Sequence, residues 1–323
     1  MKGHPLVRSL SILTNYGVGA LAYKVLLSIV TRIERMRRRI CACLQDANIG
    51  KVVRNPLGKE MFLNPNDLGL SLDLLFDGIR EPLATKTFLE TVKPGDTVID
   101  IGANIGYYTL LAAEIVGQEG KVYALEPVKE TYEILVRNVN HNGYANVETF
   151  RCAVGDRNGT AVMEVPKNRN LARVTVDSAP SAATSETVEV ITLDDFVRGK
   201  RFPNLIRMDV EGYEYNVILG MRNILDNDRP IKIMMEFHLH IMPTAKILTV
   251  LQRLHESGFN IRKIIYDIEP PVRFFTRVMD IIKKQFGRYP LGCGVHHIDI
   301  DRVTQDIEKL RNICAAHFLF ERT

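Results

Sequence analysis

Val98-Ile99-Asp100-Ile101-Gly102-Ala103-Asn104-Ile105-Gly106-Tyr107-Tyr108-Thr109 is the stretch on which the reading of this chain turns. A short apolar run ends in Asp100, passes two glycines and opens into a helical pattern at Leu110, Leu111, Ala112, Ala113 and Ile115. Strand, tight glycine turn and helix is the layout that binds nucleotide-like cofactors. A dinucleotide fingerprint would place glycine at position 104, where this chain has Asn104. A carboxylate at the strand end repels a pyrophosphate and holds an ammonium. S-adenosyl-L-methionine (SAM) carries an amino group, a sulfonium and no phosphate, and it is the expected cofactor. Gly102 lets the backbone approach the ligand, Gly106 lets helix pack closely on strand, and Asn104 tolerates left-handed geometry. Asp100, Gly102, Asn104, Gly106 and the adjoining Tyr107 are the expected contacts.

Outward from this stretch, strands and helices alternate. Strands are expected at Thr97–Ile101, Lys121–Leu125, Val147–Cys152, Leu205–Met208, Ile231–Phe237 and Phe259–Ile265, with a last one at Ala315–Phe320. Helices are expected at Leu83–Thr91, Tyr107–Ile115, Lys129–Asn142, Tyr215–Leu225, Thr244–Ser257 and Val303–Arg311. Thr160–Val165 and Thr187–Ile191 read as an antiparallel pair around a loop at Asp177–Ser185. Such alternation predicts an α/β, doubly wound, mostly parallel seven-stranded sheet, its late strands forming an antiparallel edge hairpin. Residues 1–50 read as a basic, apolar helical extension. Residues 51–95 read as a strand pair, turning at Pro56-Leu57-Gly58, and a helix leading into the core. Residues 96–323 form the cofactor domain, with 266–297 as a substrate lid.

Other chemistry-bearing residues fall at strand ends. Glu126-Pro127, about twenty residues after the glycine loop, has the spacing of a carboxylate that accepts from two ribose hydroxyls. Ala153 and Val154, in Cys152-Ala-Val-Gly-Asp156, are small enough to admit an adenine. Asp209-Val-Glu-Gly-Tyr-Glu214 sets three carboxylates beside the methyl-donor position. Asp209 is read both as a cofactor contact and, with Glu211, as a group that takes an acceptor's proton. A divalent cation on Asp209 and Glu211 is the alternative, without a committed metal site. In Glu236-Phe-His-Leu-His240, alternation puts Glu236, His238 and His240 on one face, and His238 is the third catalytic candidate. His296-His297 is a weaker signal.

Taken together these residues resemble the FkbM family of SAM-dependent methyltransferases. The carriers are Val98–Thr109, Leu125-Glu-Pro127, Ala153-Val-Gly-Asp156, Thr192-Leu-Asp-Asp195 and Arg207-Met-Asp-Val-Glu-Gly-Tyr-Glu214, in family order, and the likeness runs from about Arg80 to His240. The resemblance implies a Rossmann-like fold and methyl transfer to a hydroxyl oxygen of a saccharide, lipid-linked glycan or similar small acceptor. Residues outside it would define the acceptor.

Composition narrows the remaining classes. The net charge of +4 is uneven: residues 1–50 hold eight Lys or Arg against Glu34 and Asp46, leaving the rest slightly acidic. A near-neutral body lacks the footprint of a nucleic-acid enzyme, and Asp-Val-Glu-Gly stands where amino-directed DNA enzymes carry Asn/Asp-Pro-Pro-aromatic. No nucleic-acid partner is expected. A nucleic-acid or protein methyltransferase and a SAM-binding scaffold without turnover are the competing readings. Residues 1–43 offer peripheral contact with an anionic membrane. Ser9–Val30 is long enough to span a bilayer but is interrupted by Asn15, Gly17, Gly19 and Lys24. The five cysteines form no CxxC pair, which fits a reducing, cytoplasmic setting at or away from a membrane face. The sequence sets no oligomeric state.

Overall fold

A computed structural model describes residues 52–64, 67, 69–165, 173–175, 184–238, 241–266, 294–296 and 316–322. The expected extension 1–50 with its membrane contact, the 266–297 lid as a whole, the Val303–Arg311 helix, His240 and four of the five cysteines (Cys41, Cys43, Cys293 and Cys314) lie outside these residues. Among the described residues no helix is long and apolar enough to cross a membrane.

The parallel core is built by strands that are buried along nearly their whole length. β3 (Thr97–Ile101), β4 (Lys121–Leu125) and β5 (Val147–Phe150) run parallel on one side. β10 (Leu205–Met208) and β11 (Ile231–Phe237) extend the parallel run from the other edge of β3. All five residues of β3 are buried, the apolar pattern of a strand covered on both faces. Beyond β11 come β14 (Ala316–Arg322), antiparallel to it, and β12 (Asn260–Tyr266), antiparallel to β14. The seven expected strands are all present. An eighth, β13 (Gly294–His296, which contains His296), pairs with β12 at the edge. The order is β13-β12-β14-β11-β10-β3-β4-β5.

Alternation along the strands divides the core. Val98, Val122, Ala124 and Leu205 face α2 (Pro82–Thr91), α3 (Tyr107–Val116) and α4 (Lys129–His141), while Ile99, Ile101, Leu125 and Met208 face the opposite layer with α8 (Thr244–Glu256). Before them lies α1 (Leu70–Asp77). The hairpin of β1 (Val52–Arg54) and β2 (Glu60–Phe62) is tied down by Asn138 of α4. The Asn138 side chain accepts from the Phe62 N–H at 2.6 Å and donates to the carbonyls of Phe62 at 3.1 Å and Ile105 at 2.7 Å. One buried amide thus joins the hairpin to the glycine turn.

Two expectations are corrected. The chain leaves the main sheet after Phe150, so Ala153–Val154 (β6) pairs instead with β9 (Thr184–Ile191). With β7 (Gly159–Val165) and β8 (Arg173–Thr175) these form a second sheet of order β6-β9-β7-β8, larger than the expected pair. β9 also takes Thr184 and Ser185 from the expected loop, the rest of which lies outside the described residues. After α5 (Leu193–Phe196), the expected helix 215–225 is broken into α6 (Glu214–Leu219) and α7 (Arg222–Leu225). The break falls at Gly220, where a Cβ would stand 1.9 Å from the Gly155 carbonyl oxygen.

Candidate functional site

The parallel register brings the ends of β3, β4, β10 and β11 to one edge: Ile101 is level with Leu125 and with Met208, and Met208 with Met235. The chain order reverses at β3, and the crevice at such a point is where open α/β sheets bind ligands. The glycine turn, Glu126, Asp209–Glu211 and His238 all follow directly from these strands.

Two adjoining cavities open there. The first is walled by Gly102, Asn104, Glu126, Pro127, Ala153, Val154, Asp209 and Glu211. The second is walled by Arg80, Glu81, Tyr107, Tyr108 and Arg207, and shares Asn104, Asp209 and Glu211 with the first. The backbone between them is tight. Gly102 has φ +73°, and a Cβ there would lie 1.9 Å from the Asp209 carbonyl oxygen, so only glycine lets the β3 and β10 turns pass. Gly106 lines neither cavity; a Cβ on it would meet Leu135 of α4 at 2.8 Å, which makes it a packing residue. Asn104 does adopt left-handed geometry, with φ 52°.

Glu126 is buried behind the glycine turn. Its Oε2 accepts from the Asn104 N–H at 2.9 Å and its Oε1 from the Val128 N–H at 3.0 Å. Burial pushes its carboxyl up to about 7, against the pull of those two N–H donors and with the help of the Asp100 and Asp209 charges. Among the described residues, the first cavity therefore presents Glu126, Asp209 and Glu211 and no Lys or Arg. That donor set does not suit a phosphate. It suits a cationic ligand bearing hydroxyls, which is what SAM is, and the small Ala153 and Val154 leave the apolar space its base needs.

Asp100 behaves differently from the expectation. It is 1% exposed and lines neither cavity. Its Oδ2 accepts from the Thr109 hydroxyl at 2.6 Å and its Oδ1 from Arg207 at 3.3 Å. Arg207 also donates to the Gly102 carbonyl at 3.1 Å and to Asp209 Oδ2 at 2.9 Å, with its guanidinium 4.4 Å from the Tyr108 ring centroid. Arg207 thus reaches the ammonium role expected of a ligand: it neutralises Asp100 from within and fixes the turn. Tyr107 lies on the second cavity rather than the first, its hydroxyl 3.2 Å from that of Thr85.

Asp209, Glu211 and His238 do come together. Glu211 has φ 50°, in the turn after β10. His238 Nε2 is 3.3 Å from Glu211 Oε2, and its Nδ1 is 2.7 Å from Oε1 of the fully buried Glu214. Burial alone would lower the imidazole's pKa, but the Glu214 hydrogen bond and the charges of Glu236, Glu214 and Asp209 outweigh it and raise it to about 10. At neutral pH the ring is an imidazolium, not a ready base. Burial likewise works against ionised Asp209, and Arg207 and His238 overcome it to hold that carboxyl below its usual value.

Sequence reasoning missed the far wall. Glu81, ahead of α2, is held by Arg80 at 2.8 Å, by the Tyr108 hydroxyl at 3.2 Å and by His317 at 3.0 Å. His317 reaches the site because the antiparallel register sets it opposite Glu236. No local pattern announces such a pairing between β11 and β14.

The Methyltransferase FkbM domain model matches residues 100–261. Hexuronic acid methyltransferase AglP of Haloferax volcanii is 26% identical over 184 residues, which cover 53% of this chain and 72% of that protein. Protein-L-isoaspartate O-methyltransferase 1 of Archaeoglobus fulgidus is 41% identical over 65 residues, only 20% of this chain and 29% of that protein. A SAM-dependent O-methyltransferase structure from Thermotoga maritima aligns with a TM-score of 0.40 and 14% identity, covering 85% of this chain and 78% of that one. With the family model spanning half of its length, on the sheet and strand-end carboxylates described above, the chain belongs to the FkbM family of SAM-dependent methyltransferases.

Proposed function

We propose that this protein transfers the methyl group of SAM to a hydroxyl oxygen of a saccharide, free or lipid-linked. The observation that carries the reading is the gathering of Asp209 and Glu211 in the wall common to both cavities, with His238 3.3 Å from Glu211. One cavity then serves the donor and the other the acceptor, and the acidic centre lies between them. When bound, SAM supplies an electrophilic methyl carbon on a sulfonium, open to displacement by an oxygen lone pair.

The chain's own residues divide the remaining work. Glu126 accepts from the ribose hydroxyls, and Ala153, Val154 and Pro127 flank the base. Asp209 faces the donor's positive charge. Gly102 and Asn104 shape the turn against it, with Asp100 and Gly106 supporting that turn through Arg207 and α4. The acceptor's hydroxyl is held against Asp209, Glu211 and His238; as the C–O bond forms and the methyl–sulfur bond breaks, the hydroxyl proton passes through these carboxylates to solvent. Holding oxygen and methyl in line supplies much of the acceleration. The AglP relative, named for a hexuronic acid, supports a sugar acceptor.

The test is transfer of labelled methyl from SAM to saccharides, including uronic acids and lipid-linked glycans, by wild type and Asp209→Asn. Label in a sugar methyl ether, at least about 100-fold slower in the variant even at saturating donor, is expected. Label only in nucleic acid or protein overturns the reading, and unimpaired turnover by the variant removes Asp209 from the chemistry.

A further inference from the structure

Asp209, Glu211 and His238 each offer one donor atom, and the three atoms lie within 4.8 Å of one another. Donor atoms held at ~2.1 Å around an octahedral ion stand ~3.0 Å apart when adjacent and ~4.2 Å when opposite. The 3.3 Å between His238 Nε2 and Glu211 Oε2 is already an adjacent spacing. The imidazole is also set in the manner of a metal-binding histidine, whose second nitrogen is engaged by a carboxylate. Here Glu214, 0% exposed, takes Nδ1 at 2.7 Å and leaves Nε2 to the Asp209–Glu211 side.

A separate observation points into the same space. Glu236 is 9% exposed, and among the described residues its side chain makes two long ion pairs and no hydrogen bond. Its Oε1 faces His238 Nε2 at 3.8 Å and its Oε2 faces His317 Nε2 at 3.9 Å, both beyond hydrogen-bond reach. A carboxyl this little exposed, with only long ion pairs, is poorly satisfied, and an ion with its bound water in that gap would supply a hydrogen bond. Glu236 also groups with Glu81 and His317, but there both Glu81 oxygens are already engaged, Oε1 by Arg80 and Oε2 by Tyr108 and His317, whereas Arg207 engages Oδ2 of Asp209, which makes that group the poorer cage.

We infer that Asp209, Glu211 and Nε2 of His238, which releases its proton to solvent as the ion binds, hold one divalent cation of the Mg²⁺/Mn²⁺ class, with Glu236 accepting from an ion-bound water. Two carboxylates, one imidazole and water form an oxygen-rich set that suits these hard ions. Binding stands on the geometry alone. Only its use rests on the proposed function: the ion would polarise the acceptor hydroxyl, so that its proton leaves to solvent through that water as the oxygen takes the methyl.

Mn²⁺ titrated into the metal-stripped full chain, followed by the loss of the free-ion electron paramagnetic resonance signal, tests the site. One Mn²⁺ per chain is expected, displaced by Mg²⁺, with affinity at least about tenfold weaker in Glu211→Gln and Asp209→Asn and severalfold weaker in Glu236→Gln. Circular dichroism melts confirm that each variant is folded, and Glu211→Gln, at a partly exposed turn, keeps the test open if the buried variants fail. No retention at millimolar Mn²⁺, or retention unchanged in folded Glu211→Gln, overturns the site. SAM binding measured on the same samples separates the failures: donor bound without Mn²⁺ sinks this inference alone, whereas no donor bound sinks the function.

Discussion

Glu126→Gln isolates a carboxylate poised near neutrality at the donor cavity. Its carboxyl rises from 4.5 to about 7, chiefly through burial. That displacement amounts to roughly 3 kcal/mol between the two protonation states. Ribose hydroxyls donate, so the ionised form is the one that binds. With this group titrating at about 7, donor affinity should fall roughly tenfold per pH unit below that point, to about one thirtieth at pH ~5.5. Folding stability moves the other way. Because the folded value lies above the unfolded one, this group's contribution is full below about 4.5 and is lost as pH rises through about 7. In Glu126→Gln one of the two N–H donors loses its acceptor, which lowers donor affinity at every pH, but both pH dependences should vanish. Calorimetry with S-adenosylhomocysteine across this range, paired with thermal melts in the same buffers, reads both signs. The donor's own amino group titrates near ~8 in either protein and cancels in the comparison. A wild-type affinity that is flat from pH ~5.5 to ~7, or an equal slope in the variant, refutes the reasoning.

Two further outcomes follow from the backbone and charges around Gly102. Arg207→Met strands the 1%-exposed Asp100 without its cation and should cost about 3–5 kcal/mol in denaturant melts; Asp100→Asn added to it should recover a good part. An unchanged melt for the single variant would mean that the pair carries no structural weight. Gly102→Ala combines a left-handed backbone with a Cβ 1.9 Å from the Asp209 carbonyl oxygen, and should lose about 3 kcal/mol or more together with donor binding. Retained donor affinity in that variant would show that the two turns separate freely.

The sequence by itself determined the strands. Thr97–Ile101, Lys121–Leu125, Leu205–Met208 and Ile231–Phe237 stand where their apolar runs placed them, because fully buried parallel strands must be apolar throughout. It also placed Glu126, Asp209, Glu211 and His238 at one edge, since residues that follow parallel strands share that edge whatever the loops do. Tertiary structure alone decided what each charge faces. Asp100 reads as a ligand-binding carboxylate until Arg207, 107 positions away, turns it into half of a buried ion pair. His238 reads as a base until Glu214 and Glu236 make it a cation. His317 and Glu81 carry no local signal, and only the antiparallel register of β14 against β11 brings His317 to Glu236. Strand formation is written in short-range apolar periodicity, whereas electrostatic character is the sum over neighbours from distant segments, which exists only once the chain has closed on itself.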